Sequence, residues 1–168
     1  MSFIIHSDVF DAYYDAVDAM IDSNFGVDCT LIYPADKTVC SNCHFNSVTK
    51  SSSNQYKSGG PIPFEGGICP YCSGQGYVLS ESTETIKLRC YFDKKSWMKI
   101  GVNMNVKDGS VVTYGHAVDM PKCIRSAFMT ANIQQAGYGL NRYELSGQPM
   151  LHGFKRDKYF IAIWNRAE

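Results

Sequence analysis

Cysteine carries most of the chemistry this chain has to offer. Four of the seven stand as two Cys-x-x-Cys pairs, Cys40 and Cys43 in "CSNC" and Cys69 and Cys72 in "CPYC", with twenty-five residues between the pairs. A Cys-x-x-Cys turn folds the chain back so that two thiolates reach one ion, with backbone amides facing the sulfurs. Two such turns complete a tetrahedron. The spacing is that of a four-thiolate zinc ribbon, which makes Cys40, Cys43, Cys69 and Cys72 the predicted metal ligands and Zn2+ the predicted structural cofactor. Four thiolates fill the coordination shell and leave no position for a water nucleophile, so the site reads as scaffolding. Two other chemistries use paired cysteines. A thioredoxin-like redox pair opens a helix, whereas Ser73-Gly74-Gln75-Gly76 follows the second pair here. Two local disulfides would need oxidation after synthesis. His44, next to Cys43, either replaces a ligand or faces solvent.

Other catalytic signatures are absent from the sequence. There is no Gly-x-x-x-x-Gly-Lys phosphate loop, no Gly-x-Ser-x-Gly elbow, no His-Glu-x-x-His and no His-x-Glu to accompany a deaminase-type cysteine pair. His116 near Asp119 and His152 near Asp157 read as exposed loop residues, and no acid, base and nucleophile set assembles, so the chain is not expected to be an enzyme. Lys94, Lys95 and Lys99 surround Trp97, and Lys155, Arg156 and Lys158 precede Tyr159. Basic residues with aromatics can track phosphates and stack bases, which gives the alternative reading of a small zinc-ribbon nucleic-acid-binding protein.

The elements that must position these residues are mostly strands. Residues 7–24 are the exception. Phe10, Tyr13, Tyr14, Val17, Met20 and Ile21 share one arc at helical pitch, Asp8, Asp11, Asp15, Asp18 and Asp22 the opposite arc, and Ser7 suits the N-cap. "VDCTLIYP" (27–34) and "ETIKLRCYF" (84–92) alternate as strands, with Cys29 and Cys90 facing inward as small apolar residues. "NMNVKDGSVVTY" (103–114) predicts a hairpin turning at Asp108-Gly109. Residues 120–133 fit helix or strand, and Cys123 within them carries no argument for reactivity. "NRYELSG" (141–147) and "KYFIAIWNR" (158–166) predict two final strands, the second apolar on both faces and therefore central. "QPMLHGFKRD" between them reads as an exposed loop. Residues 44–68 are Ser- and Gly-rich and cannot build a core alone, so they read as an excursion held by the cysteine pairs. The chain is therefore one α+β, mainly β domain over 1–168, with an N-terminal amphipathic helix and a zinc-ribbon insertion at 37–80.

Hydrophobic residues at 45% and charged residues at 19% predict a folded core. The formal net charge of zero points to no nucleic-acid or membrane partner. It hides an asymmetry, because the first thirty-six residues hold seven Asp and no Lys or Arg. An acidic end and a basic body could dock head to tail in an oligomer. No secretory leader or membrane span is expected, and cysteines in spaced pairs suit a reducing cytosol.

"CPYCSGQGY" resembles the glycine-bearing cysteine unit of DnaJ-type zinc domains, but "CSNCHFN" lacks the glycines and no His-Pro-Asp motif is present. That likeness is one of local turn chemistry. A broader one covers most of the chain. The acidic helix, "GVDCTLIYP", "CSNC", "SSNQYKSGGPIPFEGGICPYCSGQGY", "ESTETIKLRCYFD" and the ending "YELSGQPMLHGFKRDKYFIAIWNR" together resemble a group of tailed-bacteriophage head–tail joining (neck) proteins with a zinc-ribbon insertion. The resemblance implies an antiparallel β-barrel-like adaptor without enzymatic activity. It implies a structural virion protein, made in the host cytoplasm and repeated in a ring at the head–tail junction. The implied partners are copies of itself, portal or adaptor and tail proteins, and packaged DNA in passing contact. Only the four cysteine positions carry over residue by residue.

Overall fold

A computed structural model describes residues 7–23, 25–102, 107–131, 141–153 and 156–167. The chain divides into two compact units, Met1–Tyr33 with Thr83–Glu168, and Pro34–Ser82. The first unit holds α1 (Ser7–Asp22), β1 (Val27–Ile32), then β6 (Thr83–Tyr91), α2 (Lys94–Lys99), β7 (Val111–His116), α3 (Met120–Arg125), β8 (Phe128–Ala131), β9 (Arg142–Leu145), β10 (Met150–His152) and β11 (Tyr159–Arg166). The second holds β2 (Asp36–Val39), β3 (Cys43–Asn46), β4 (Ser51–Tyr56) and β5 (Tyr77–Ser80).

Six strands of the first unit close into an antiparallel barrel in the order β11-β7-β6-β1-β8-β9, and β9 returns to β11 through Trp164↔Leu145 and Arg166↔Tyr143. The fold class expected from the sequence, mainly β with an N-terminal helix and an inserted four-cysteine unit, is the one observed. Strand β11 explains why both its faces are apolar. Phe160, Ala162 and Trp164 point into the barrel with Leu31, Leu88 and Met129, whereas Tyr159 and Ile161 point outward under α1 with Val112 and Tyr114. Closure lets a single strand serve two cores. Inside, the one buried threonine of β7, Thr113, accepts the indole N–H of Trp164 at 2.9 Å, which satisfies both polar groups.

Helix α1 covers the outer core through Tyr14, Val17 and Ile21. Its seat is polar as well as apolar. The Tyr159 hydroxyl donates to Asp18 Oδ1 at 2.7 Å, with the Tyr14 carbonyl a second acceptor at 3.0 Å, and Lys158 Nζ lies 2.6 Å from Asp18 Oδ2. His116 faces both Asp22, at 3.2 Å, and Asp18, at 3.7 Å. Asp18 thus departs from the solvated acidic arc that helical pitch assigned it. Met20, assigned to the buried arc, is 41% exposed.

Other differences have local causes. Residues 94–99, read only as a basic cluster, form α2 because Asp93 caps it, accepting from the Ser96 N–H at 2.9 Å. Trp97 of that cluster is buried, its indole N–H bonded to the Tyr91 carbonyl at 2.7 Å. The ambiguous stretch 120–133 is helix and then strand: Pro121 starts α3 and Ser126 ends it, donating to the Cys123 carbonyl. Asp108-Gly109 do form a turn, but the preceding strand half (103–106) lies outside the described residues, and β7 pairs with β6 and β11. Part of the expected exposed loop is the short strand β10 on β11, with all three residues exposed. The Ser7 side chain and Asn24 also lie outside the described residues.

Burial pushes the Asp18 carboxyl up, but the bonds from Lys158 and Tyr159 outweigh it and hold the group below the ordinary carboxylate value. A depressed carboxylate adds stability above its unfolded pKa and loses it as pH falls through the folded one. Asp18→Asn is therefore expected to lower the unfolding free energy by about 1–2 kcal/mol at neutral pH, measured in urea. The gap to wild type should close in strong acid. Equal stability of the two proteins at pH 7 would contradict this seat for α1.

Candidate metal centre

The two cysteine turns are brought together by β-pairing on either side of them. Strand β2 runs directly into Cys40, and β5 follows shortly after Cys72. The two pair antiparallel from Asp36↔Ser80 to Val39↔Tyr77. The ladder continues one step, with the Cys40 N–H donating to the Gly76 carbonyl at 2.9 Å. Cys43 opens β3, whose hairpin with β4 returns under the second turn, where the Ser52 N–H reaches the Gly74 carbonyl at 3.1 Å. Gly76 has φ +79°, and a Cβ there would meet the Ser51 carbonyl carbon and Ser52 nitrogen at 2.6 Å, so only glycine fits.

The result is a cluster of four buried sulfurs from Cys40, Cys43, Cys69 and Cys72, all within 4.8 Å of one another. Cys43 Sγ and Cys72 Sγ are 3.7 Å apart. A tetrahedral ion with Zn–S bonds of about 2.3 Å requires sulfurs about 3.8 Å apart, whereas a disulfide requires about 2 Å. All four cysteines are free. The sequence-predicted ligands are thus in one place with metal-site spacing, and the donor set fits a tetrahedral ion. His44 is exposed and outside the cluster, so it is not a ligand.

Donors face the sulfurs, as thiolate requires. The Asn42 N–H points to Cys40 Sγ at 3.4 Å, the Gly76 N–H to Cys72 Sγ at 3.2 Å and the Asn42 side-chain amide to Cys69 Sγ at 3.5 Å. Burial alone raises such thiols, and it takes Cys43 up to about 12. At Cys69 burial is outweighed by the Asn42 amide and by the backbone N–H groups of Cys72 and Tyr71, which bring it down to about 6. One thiolate is therefore favoured at neutral pH, and a divalent charge would offset the burial that raises Cys43 and Cys72.

Asn42 was not singled out by sequence reasoning, yet it is fully buried and ties the first turn to the glycine-rich segment. Its amide donates to the Ile62 carbonyl at 2.8 Å and accepts from the Ile62 N–H at 2.7 Å, while its backbone carbonyl accepts from Lys57 at 3.0 Å. Gly60 passes so close that a Cβ would sit 2.6 Å from the Asn42 Oδ1. The available signal was its place inside "CSNC", where any side-chain donor lies within reach of sulfur.

No protein-family model, curated protein or solved structure matches the chain.

The remaining candidates sit elsewhere. Cys29 and Cys90 touch at 3.6 Å inside the barrel, where the bond between the two thiols and burial push Cys29 well up. Burial likewise raises Cys123 to about 12, so the barrel cysteines are packing groups. His116 faces Asp18 and Asp22 rather than Asp119, and His152 Nδ1 lies 3.0 Å from the Tyr114 hydroxyl rather than meeting Asp157.

Reconstitution of the reduced chain with Co2+ should give the intense visible absorption of a tetrahedral tetrathiolate centre, and replacing any one of the four cysteines with serine should remove it. Asn42→Ala should weaken metal binding about 10–100-fold in competition with a chelator, leaving the barrel's thermal transition in place. Undiminished affinity would remove Asn42 from the site.

Proposed function

We propose that the chain is a structural virion protein, an adaptor or closure ring subunit at the head–tail junction of a tailed phage, with a Zn2+ ordering its inserted arm. The observation that carries this reading is the architecture along 27–92. There an antiparallel barrel is interrupted by a thiolate-clipped unit, in the stretch that most resembles neck proteins of this type. Zinc is favoured over a redox metal because four thiolates and tetrahedral spacing suit a d10 ion that needs neither an open position nor electron transfer. A metal held this way supports a part that keeps its shape.

Ring subunits meet through unlike surfaces. The exposed side of α1 offers Asp11 and Asp15, and the rest of the barrel unit carries more Lys and Arg than Asp and Glu, which would give one copy's helix cationic groups to meet on the next. Asp18 belongs to the helix seat and is not available for this contact. The nucleic-acid alternative loses two stacking groups, because Trp97 and Tyr159 are both turned inward. Within the described residues no helix is long and apolar enough to cross a membrane.

Purified virions should contain the chain at the copy number of a ring, by quantitative mass spectrometry of particles. Its absence from particles, together with salt-dependent duplex binding by the purified monomer, would favour the nucleic-acid reading instead. Asp11→Asn with Asp15→Asn should weaken ring formation in analytical ultracentrifugation while the monomer's melting is unchanged. Unaltered assembly would remove the charge contribution.

A further inference from the structure

A cleft of about 410 Å3 opens between α1 and the outer face of the barrel. Its volume lies in the range that takes small ligands, about 300–1,000 Å3. Val17, Met20 and Ile100 form an apolar wall, and the rings of Tyr13, Tyr91 and Tyr114 stand around it. All belong to the barrel unit, so the cleft is independent of the metal centre.

The cleft explains why Met20 breaks the helical pattern. Pitch places it on the buried arc, yet among the described residues it is 41% exposed and lines the cleft. The opposite flank of α1 is fixed by Tyr159, Lys158 and His116, which hold the helix in a position that leaves this side unfilled.

Polar groups stand beside the rings. The Tyr114 hydroxyl lies 3.0 Å from His152 Nδ1 and also meets Tyr13. Lys99 supplies an ammonium that makes no ion pair among the described residues. Among the described residues the lining contains no carboxylate. A guest with a flat apolar body and one anionic group matches this set: tyrosine rings for the body and the Lys99 ammonium for the charge.

We propose that this cleft is a binding site for a small planar aromatic molecule carrying one anionic group, with its ring among Tyr13, Tyr91 and Met20 and its carboxylate or sulfonate at Lys99. The site is a property of the barrel and does not depend on the ring reading.

The test uses the full, metal-loaded chain, isothermal titration and two probes, 1-naphthoate and the uncharged 1-naphthamide. Naphthoate should bind saturably with one site per chain, and naphthamide about three- to tenfold more weakly. Lys99→Gln, a surface change that should not alter folding, should erase the difference between the probes. Met20→Trp, which fills the space, should abolish binding of both. In amide-proton NMR the shifts should centre on residues 13–20 and 99–101. Any of three results would overturn the proposal: no saturable naphthoate binding, equal affinity for the two probes in the wild type, or shifts mapping to another face.

Discussion

The pairing of Ile32 with Thr83 is the constraint around which the chain is organised. These residues close the β1–β6 hairpin of the barrel, yet the whole of Pro34–Ser82 lies between them. A connection of that length without internal structure would be unusual and would carry a closure cost. The excursion has almost nothing apolar to fold around. Its buried cluster is four cysteine sulfurs, with Phe64 and Val78 packed against them. Four sulfurs at metal-site spacing, met by N–H groups, take the place that leucine and valine occupy elsewhere. An ion held there binds only the folded arrangement, so its binding energy becomes folding energy for the arm.

The barrel solves a different problem. Closure gives its strands a filled inner face, and β11 an apolar outer face as well. Helix α1 is seated on that outer face by tyrosine, lysine and histidine as much as by aliphatic packing. Such a mixed interface fixes the helix at one place and leaves room beside it, which is how a half-exposed methionine and a cleft arise on a helix whose sequence is cleanly amphipathic.

What the sequence made legible follows from this division. The four clustered cysteines were readable because a tetrahedral site demands cysteines at fixed local spacing, and that spacing survives without any knowledge of the fold. Strands β1, β6 and β11 were readable because alternation or a doubly apolar run is a local record of burial. Asn42 was missed because its role depends on Ile62 and Cys69, far off in sequence and near only after folding. Asp18 was misplaced because helical pitch separates acidic from apolar arcs but does not show Lys158 and Tyr159 arriving from the end of the chain. The strand β4, "SSSNQY", has no apolar alternation to read, since the hairpin with β3 sits against the cysteine turns instead. Barrel closure itself rests on β9 meeting β11, a pairing without a local signature.

The central claim is that a bound ion substitutes for a hydrophobic core in residues 34–82. It is tested most directly by native mass spectrometry of freshly purified, reduced chain, followed by limited proteolysis with and without a chelator. The account predicts one zinc ion per chain. It also predicts that stripping the ion opens 34–82 to cleavage, leaving the barrel unit protected. A chain that carries no divalent ion and still resists cleavage across that segment would contradict it.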